Sequence, residues 1–401
     1  MDDIFESELK KATVFQDRNV LSQSYIPETL PHREKEIERM MKTLAPMLSK
    51  KIIHNLFIYG KTGTGKSSST RHILNRLGDV REKYDASVDF IYVNCHNCNT
   101  KYQVMLKCAE YCAPGKPFIG YPFSHLFEEV KKKVQDNDTS FLIVLDEVDK
   151  VKDIDELMYT LTRANDELDH GRISLIGITN SVGFKEQLDP RSKSTLCEEE
   201  MVFPPYNATE LESILRQRGE LGFKQGAIDE SAINLAAALA AQESGDARYA
   251  LKLILKAGQI ADDLKEKRVT DSHVQIASEG VEEEIVYEII NTLPEHQKIV
   301  LYAITLLTED GSRMSKLDGS MDEDAVLYSG EVYDKYRGLC KVYGKKARTA
   351  RWCRDYLNDL DMMGLITTSI SGKGIRGNTT LIQLAYPQEK VKRVLEKHFN
   401  A

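Results

Sequence analysis

One eight-residue segment constrains the fold of this chain more than any other feature. Residues 60–67 read Gly-Lys-Thr-Gly-Thr-Gly-Lys-Ser and match the pattern G-x-x-x-x-G-K-[ST]. The apolar, strand-like run Asn55–Tyr59 comes before the segment, and a helical stretch, Ser67–Leu77, follows it. A glycine-rich turn between a strand and a helix predicts a phosphate-binding loop, because its backbone N–H groups and the positive helix end attract anions.

Each residue type in this loop has a chemical role. The glycines let the backbone curl around phosphate oxygens, Lys66 reaches the outer phosphates, and the hydroxyl of Ser67 ligates Mg²⁺. The sequence therefore predicts a site for ATP or ADP with Mg²⁺. Its loop residues are Gly60, Lys61, Thr62, Gly63, Thr64, Gly65, Lys66 and Ser67.

Two carboxylates follow a short, wholly apolar run further along the chain. Asp146 and Glu147 come directly after Phe141–Leu145. In a parallel sheet this places them at the carboxyl end of a strand, beside the phosphates. We expect Asp146 to hold Mg²⁺ and Glu147 to polarise the attacking water. A solvated acidic turn is the alternative for the pair taken alone.

The pattern of apolar runs predicts an α/β core. Short strands at Val88–Asn94, Phe141–Leu145 and Ile173–Thr179 alternate with helical stretches, which is typical of a parallel sheet with helices on both faces. After residue 205 the pattern is helical only, and a third region begins near residue 281. The predicted domains are an ATPase core at 1–204, a helical lid at 205–280 and a C-terminal domain at 281–401.

Composition sets limits on the function. The chain has 401 residues, no apolar run near the roughly 20 residues that span a bilayer, and a polar N-terminus without a secretory signal, which predicts a cytoplasmic protein. A net charge of −8 means that any nucleic-acid site is a local patch. Cys95-x₂-Cys98 and Cys108-x₃-Cys112, with His96 nearby, invite a zinc interpretation, but reduced, partly buried thiols are favoured because Cys95 follows a buried strand.

Several segments, in their order along the chain, resemble one protein family. The glycine loop, LDEVD, GITN and GDARYAL resemble the AAA+ ATPases, and further segments narrow the resemblance to the archaeal origin-recognition and cell-division-control replication initiators. The supporting segments are Val14–Ile37, VNCHNCNTKYQV, Ser181–Leu196, FPPYNATEL and Gly330–Cys340. The resemblance runs from about residue 14 to the C-terminus. It implies an AAA+ ATPase domain, an α-helical lid and a C-terminal winged helix.

The resemblance also implies roles for residues outside the loop. Asn180, which ends a buried strand, resembles sensor one, and Arg248 in the segment Gly245-Asp-Ala-Arg248 resembles sensor two. Arg191 is similar to the position from which a neighbouring subunit offers an arginine finger, with a structural salt bridge as the alternative. The remaining implied nucleotide contacts are Tyr25, Ile26 and Arg33 near the adenine, and Tyr206 and Arg218 toward the lid.

Cationic residues in the C-terminal domain predict a surface for duplex DNA. Winged helices present a recognition helix to the major groove and a hairpin to the minor groove. A basic helix is predicted around Lys345–Met363, and a basic turn lies between the last two strands, Leu365–Ser371 and Thr379–Leu384. A solvated basic face is the alternative. The candidate DNA contacts are Lys345, Lys346, Arg348, Arg351 and Arg354 on the helix, and Lys373 and Arg376 in the turn.

A second candidate DNA element is the aromatic, proline-rich stretch Tyr111–Phe123. The resemblance assigns a DNA contact here to Lys116 and Phe118. A packed surface loop, whose aromatic side chains bury against the ATPase core, is an equal alternative.

The sequence and the resemblance together predict an ATP-dependent replication initiator. The initiator is expected to bind double-stranded origin DNA and to help load an MCM-type replicative helicase. It is expected to associate with the nucleoid, to act with other copies or paralogues on DNA, and to hydrolyse ATP slowly as a regulatory switch. Two alternatives stay open: a clamp-loader-like AAA+ subunit and a nucleotide-sensing transcription regulator with a winged helix.

Overall fold

The structure is a computed structural model, and the chain forms two compact units. It describes residues 13–23, 25–51, 53–181, 183–196, 198–310, 327–370 and 380–399. The first unit comprises residues 1–277 and the second residues 278–401.

The first unit combines a sheet with a helical region that follows it. Its strands are β1 (Asn55–Tyr59), β2 (Val88–Asn94), β3 (Ser140–Asp146), β4 (Arg172–Thr179) and β5 (Glu198–Val202). Its helices are α1 (Glu34–Leu44), α2 (Lys66–Tyr84), α3 (Lys101–Cys112), α4 (Phe123–Asp136), α5 (Ile154–Thr162), α6 (Phe184–Gln187), α7 (Pro190–Thr195), α8 (Ala208–Gly222), α9 (Glu230–Glu243), α10 (Ala247–Asp263) and the first part of α11 (Asp271–Thr292). Short 3₁₀ segments are Arg18–Leu21, Ala45–Ser49, Val148–Lys150 and Ala164–Asp166.

The five strands of the first unit form a parallel sheet, which confirms the predicted fold class. Their order is β2-β3-β4-β1-β5, so β1 lies between β4 and β5. Side chains alternate between the two faces of a strand. Phe57 therefore packs in one hydrophobic cluster while its neighbour Ile58 packs in another on the opposite face. Every residue of β3 is buried, because helices cover both faces and its neighbours shield both edges.

The edge strand β5 is the element of this sheet that the sequence pattern did not predict. It begins Glu198-Glu199-Glu200 and pairs with β1 on one side. Its charge is offset locally: Arg39 Nε lies 2.6 Å from Glu199 Oε1, and Lys185 Nζ lies 3.0 Å from Glu200 Oε1. Three carboxylates in a row do not resemble the apolar runs of the inner strands, and pairing with β1 overrides this unfavourable composition.

The helices α8, α9 and α10 form a region that we call the lid. Its first helix begins with a capping box, in which Asn207 Oδ1 accepts a hydrogen bond from Glu210 N at 3.0 Å and Glu210 Oε2 accepts one from Asn207 N at 3.0 Å. The helix predicted at 271–278 continues without a break to Thr292, so the structure extends it past residue 281.

Residues 13–23, which we call the N-terminal strap, pack on the lid. The ring of Phe15 stacks on Phe223 with centroids 4.9 Å apart, and Gln16 N donates to Gly222 O at 2.9 Å. The buried carboxylate of Asp262 accepts hydrogen bonds from Thr13 Oγ1 at 2.6 Å and from Val14 N at 2.7 Å. The strap is therefore held to the lid by apolar contact and by a charged acceptor.

The second unit contains helices around a small antiparallel sheet. The strands β6 (Leu327–Tyr328), β7 (Ile366–Ile370) and β8 (Thr380–Leu384) lie in the order β6-β8-β7. The helices are α12 (Glu295–Asp310), α13 (Ser329–Val342), α14 (Ala350–Met362) and α15 (Gln388–Phe399). Tyr336 and Ile382 are fully buried in the core.

The predicted basic helix starts later than expected. Gly344 has a left-handed φ of 64° after α13, and Lys345 N donates to Cys340 O at 2.8 Å, so this segment ends α13. The helix α14 begins at Ala350, which leaves Lys345, Lys346 and Arg348 in the segment before it. Within the ranges that the structure describes, none of the helices has the length and apolar character needed to cross a membrane.

Candidate functional site

A cavity of about 270 Å³ lies in the first unit between the sheet and the lid. Residues 63–68, from the glycine loop and the start of α2, line the cavity on one side. The carboxyl ends of β3 and β4 contribute Asp146, Glu147 and Asn180, because parallel strands end at the same edge of the sheet. The lid contributes Arg218, Arg248 and Leu251, among others. Residues that lie far apart in the sequence therefore meet at one site.

The glycine loop adopts a conformation that favours glycine at three positions, of which Gly60 has φ 155°. Gly63 has φ 69° and Gly65 has φ 90°, both in the left-handed region. A Cβ at Gly65 would stand 2.6 Å from the hydroxyl oxygen of Tyr206, which packs against the loop. Thr62 is exposed, and the carbonyl groups of Gly60 and Lys61 accept hydrogen bonds from Lys66 Nζ.

Lys66 is buried at the centre of the loop. Its Nζ donates to Gly60 O and Lys61 O, each at 2.7 Å, and to Asn180 Oδ1 at 2.9 Å. Burial lowers the pKa of Lys66 to about 8, and the positive charge of Arg248 adds to this lowering. The ammonium group is thus desolvated and surrounded by acceptors at the place where the motif predicts phosphate.

The acidic end of β3 is fixed by hydrogen bonds. Asp146 is buried, with an exposed fraction of 6%, and Glu147 N donates to its Oδ1 at 3.1 Å. Tyr92, on the adjacent strand β2, donates its hydroxyl to Asp146 Oδ2. Glu147 itself has a left-handed φ of 56°, and its Oε2 lies 3.7 Å from His96 Nδ1. Such backbone strain in a non-glycine residue is typical of functional positions.

The lid is attached directly to the glycine loop. Ala247 N, at the start of α10, donates to Gly63 O at 3.2 Å. The preceding residue, Asp246, caps α10 by accepting from Arg248 N at 2.7 Å and from Tyr249 N at 3.4 Å. The backbone of Arg248 is therefore fixed in the first turn of α10, and its side chain lines the cavity.

Comparison with known proteins identifies the family. The family described as "CDC6, C terminal winged helix domain" matches residues 288–394, "Cdc6 AAA+ ATPase-type lid domain" matches 212–279, and "AAA domain" matches 54–182. The ORC1-type DNA replication protein of Pyrococcus furiosus is 40% identical over 100% of this chain and 94% of its own length. ORC1-type DNA replication protein 1 of Archaeoglobus fulgidus is 39% identical over 99% and 94%.

The chain belongs to the ORC1/Cdc6 family of DNA replication proteins.

Solved structures agree with this assignment. The structure of the Aeropyrum pernix ORC1 protein in complex with DNA matches with a TM-score of 0.81 and 38% identity, covering 96% of this chain and 98% of that one. Cdc6p from Pyrobaculum aerophilum shares the fold, with a TM-score of 0.61 at 22% identity over 96% and 99%. The predicted resemblance, the AAA+ core, the lid and the C-terminal winged helix are thereby confirmed. An AAA+ domain also supports nucleotide binding and ATP hydrolysis as the chemistry of the cavity.

Two arginines predicted at the nucleotide lie in different surroundings. Arg33 is buried outside the cavity lining: its Nε donates to Thr64 O at 2.9 Å, and its guanidinium lies 3.9 Å above the Tyr206 ring. Arg33 supports the glycine loop from behind in this structure, and its place near the adenine stays a prediction. Tyr25 and Ile26, predicted for the same role, do line the cavity.

Arg218 lines the cavity and also holds the chain near Tyr25. It donates to Ser22 O at 2.9 Å and to Tyr25 O at 3.3 Å, and its guanidinium lies 4.6 Å above the Tyr25 ring. Burial lowers the pKa of Arg218 to about 10. The Nε atom is buried without a hydrogen-bond partner among the described residues, so this guanidinium retains donor capacity.

The structure adds a residue to the site that the sequence patterns missed. Arg71 lines the cavity on α2, one turn beyond Ser67, and its guanidinium lies 4.5 Å above the ring of Tyr92. The i, i+4 spacing between Ser67 and Arg71 is the sequence signal that predicts this shared helix face.

Arg191 lies outside the cavity of its own chain. It is exposed as the second residue of α7, whose N-cap Asp189 accepts from Ser192 N at 2.7 Å. A residue that completes a neighbouring site has to be accessible, and this position satisfies that requirement.

The predicted DNA elements have different outcomes. Lys345, Lys346, Arg348, Arg351 and Arg354 are all exposed in the second unit. Lys373 and Arg376 lie outside the described residues. In the first unit, Lys116 Nζ lies 2.5 Å from Glu129 Oε1, and Phe118 is buried in the core with an exposed fraction of 2%. The expected DNA contact of Phe118 is wrong in this structure, since a ring packed in the core cannot enter a groove.

The cysteines near the site are thiols. Cys95, Cys108 and Cys112 are buried and Cys98 is partly buried, and burial raises the pKa of Cys112 to about 12. Across the described ranges, no group of three or more His, Cys, Asp or Glu side chains is arranged to hold a metal ion. The zinc interpretation receives no support from this arrangement.

Proposed function

We propose that this chain is an ATP-dependent initiator of DNA replication, in which slow ATP hydrolysis acts as a switch. The observation that carries the proposal is the cavity itself, where the glycine loop, the acidic strand end and two lid arginines, Arg218 and Arg248, line one space. Such a cavity lets a nucleotide link the core to the lid, and the family membership sets this in DNA replication.

The nucleotide roles in the proposal follow the positions of the side chains. Lys66 binds the outer phosphates and Arg248 reaches the γ-phosphate from the lid. Glu147 polarises the attacking water and Asn180 orients it. The adenine lies toward Tyr25 and Ile26, with Tyr206 behind the loop. Arg191 acts on the site of a neighbouring copy.

The residues at the cavity suit Mg²⁺, which prefers hard oxygen ligands. Ser67, in the first turn of α2, and Asp146, at the end of β3, both line the cavity and offer a hydroxyl and a carboxylate. Mg²⁺ supplies charge neutralisation at the transferred phosphoryl group when it is bound. The chain contributes the orientation of the Asp146 carboxylate, which hydrogen bonds from Glu147 N and the Tyr92 hydroxyl fix.

The DNA part of the proposal rests on the exposed cations of the second unit. Lys346, Arg348, Arg351 and Arg354 are exposed, and Lys345 is exposed while its Nζ lies 2.9 Å from Glu295 Oε1. Positive side chains at a winged helix provide phosphate contacts and base contacts. The A. pernix ORC1 relative has been solved with DNA. We extend DNA binding to this chain, with Lys373, Arg376 and Lys116 as further contacts and origin duplex as the target.

The proposal retains the predicted division into a core at 1–204, a lid at 205–280 and a winged helix at 281–401. The initiator acts in the cytoplasm on the nucleoid, with other copies or paralogues on DNA, and helps to load an MCM-type helicase. ATP hydrolysis removes the γ-phosphate contacts of Arg248 and so changes how the protein holds DNA.

A comparison of the wild type with Glu147→Gln tests the proposal. Single-turnover hydrolysis of ATP should be slow but measurable in the wild type and reduced by about 100-fold in the variant, while ATP affinity is unchanged. Glu82→Gln, an exposed position on α2, should behave as the wild type. Affinity for origin duplex is then measured with ATP, with ADP and without nucleotide. Equal affinities in all three states would remove the switch from the proposal.

A further inference from the structure

Tyr92 links the nucleotide cavity to a cation without lining the cavity itself. It lies on β2 opposite Val144 in the register of the sheet, two residues before Asp146 on β3. Its hydroxyl donates to Asp146 Oδ2, so the side chain reaches along the neighbouring strand to the carboxylate. The other oxygen, Oδ1, accepts from Glu147 N at 3.1 Å. Donors on both oxygens fix the rotation of this carboxylate.

The aromatic ring of Tyr92 has a second partner. The guanidinium of Arg71 lies 4.5 Å above the ring, at the distance of a cation–π contact, and Arg71 lines the same cavity as Asp146. Tyr92 thus contacts both the guanidinium of Arg71 and the carboxylate of Asp146.

We propose that Tyr92 is a positioning residue for Mg²⁺: its hydroxyl orients the carboxylate of Asp146 toward the cavity. The inference rests on the proposed magnesium site and adds a residue that touches neither metal nor nucleotide. Groups that orient a metal ligand commonly change metal affinity by about 10–100-fold when they are removed.

The test is the Mg²⁺ requirement of nucleotide binding in Tyr92→Phe, which keeps the ring and removes the hydroxyl. A fluorescent ADP analogue is titrated in EDTA, and then Mg²⁺ is titrated at fixed nucleotide. The affinity in EDTA should stay within about twofold of the wild type, whereas the Mg²⁺ concentration at half-maximal effect should rise by about 10–100-fold. Tyr84→Phe, at an exposed tyrosine on α2, is the matched control and should change neither value.

The two possible failures are distinguishable. If the wild type shows no Mg²⁺ effect on nucleotide binding, the proposed magnesium site is wrong. If the wild type responds to Mg²⁺ and Tyr92→Phe responds at the same concentration, only the role of Tyr92 is overturned. A thermal melt of the nucleotide-free variant within a few degrees of the wild type shows that the fold is intact.

Discussion

The contact between Gly63 and Asp246 makes Gly63→Ala a sharp test of how the lid is attached. Gly63 has φ 69°, a conformation that costs an alanine about 1–2 kcal/mol. A Cβ at this position would overlap the carboxylate of Asp246 and would stand 2.6 Å from its Oδ2. Because Asp246 caps α10, it can move aside only by giving up its bonds to Arg248 N and Tyr249 N.

The cost of the substitution can be divided into two parts. Loss of the helix cap contributes about 1 kcal/mol, within a usual range of about 0.5–2 kcal/mol. The backbone conformation contributes about 1–2 kcal/mol, so the free energy of unfolding should fall by about 2–3 kcal/mol in total. The cap part weakens lid docking specifically. ATP affinity should therefore fall by about 2–30-fold, since about 1.4 kcal/mol corresponds to tenfold.

Gly120→Ala is the matched control. Gly120 also has a positive φ, of 83°, but a Cβ there meets nothing within 4 Å among the described residues. It should lower the melting temperature through the backbone cost alone and leave nucleotide affinity unchanged. Thermal melting and titration with a fluorescent ATP analogue measure the two effects. If Gly63→Ala melts and binds ATP as Gly120→Ala does, the lid is not attached where the structure places it.

Three other substitutions or conditions give definite expectations. Because burial lowers the pKa of Lys66 to about 8, ATP binding above that pH should take up a proton, and ATP affinity should weaken by up to about tenfold per pH unit. Calorimetry in two buffers measures the proton uptake, and the absence of proton uptake at pH 9 would contradict the lowered pKa. Asp262→Ala removes the acceptor of Val14 N and should destabilise the protein by about 2–3 kcal/mol, more than Asp262→Asn; equal melting temperatures would refute this. Arg351→Ala should reduce the slope of log affinity for duplex against log salt by about 0.9, whereas Lys397→Ala on α15 should not; parallel salt plots would exclude a phosphate contact.

The glycine loop and the acidic strand end were predictable because their signals are local. Residues 60–67 specify a turn, a helix start and a phosphate contact within one short segment, and Asp146 follows a run that only a buried strand explains. The parallel sheet then requires both to lie at the same edge, which the structure confirms.

Other parts depend on long-range packing that a pattern does not encode. Arg33 precedes an amphipathic helix, and nothing in that pattern indicates that its side chain is buried. In the structure it packs on the ring of Tyr206, more than 170 positions later in the chain. The sequence around Phe118 is equally compatible with packing against the core and with DNA contact. The structure shows that Phe118 is buried in the core. Tyr92 reads as an ordinary strand residue until the register of β2 and β3 sets it beside Asp146.

The attachments between core and lid limit how a nucleotide can act as a switch. The bond from Ala247 N to Gly63 O, which joins the lid to the glycine loop, is made by backbone atoms. A ligand shifts an equilibrium only through contacts that differ between the two states. Since this backbone bond needs no nucleotide, the proposed switch requires the side chains of Arg248 and Arg218 to carry the difference between ATP and ADP. Variants of these two arginines should therefore abolish the nucleotide dependence of DNA binding while leaving the lid in place.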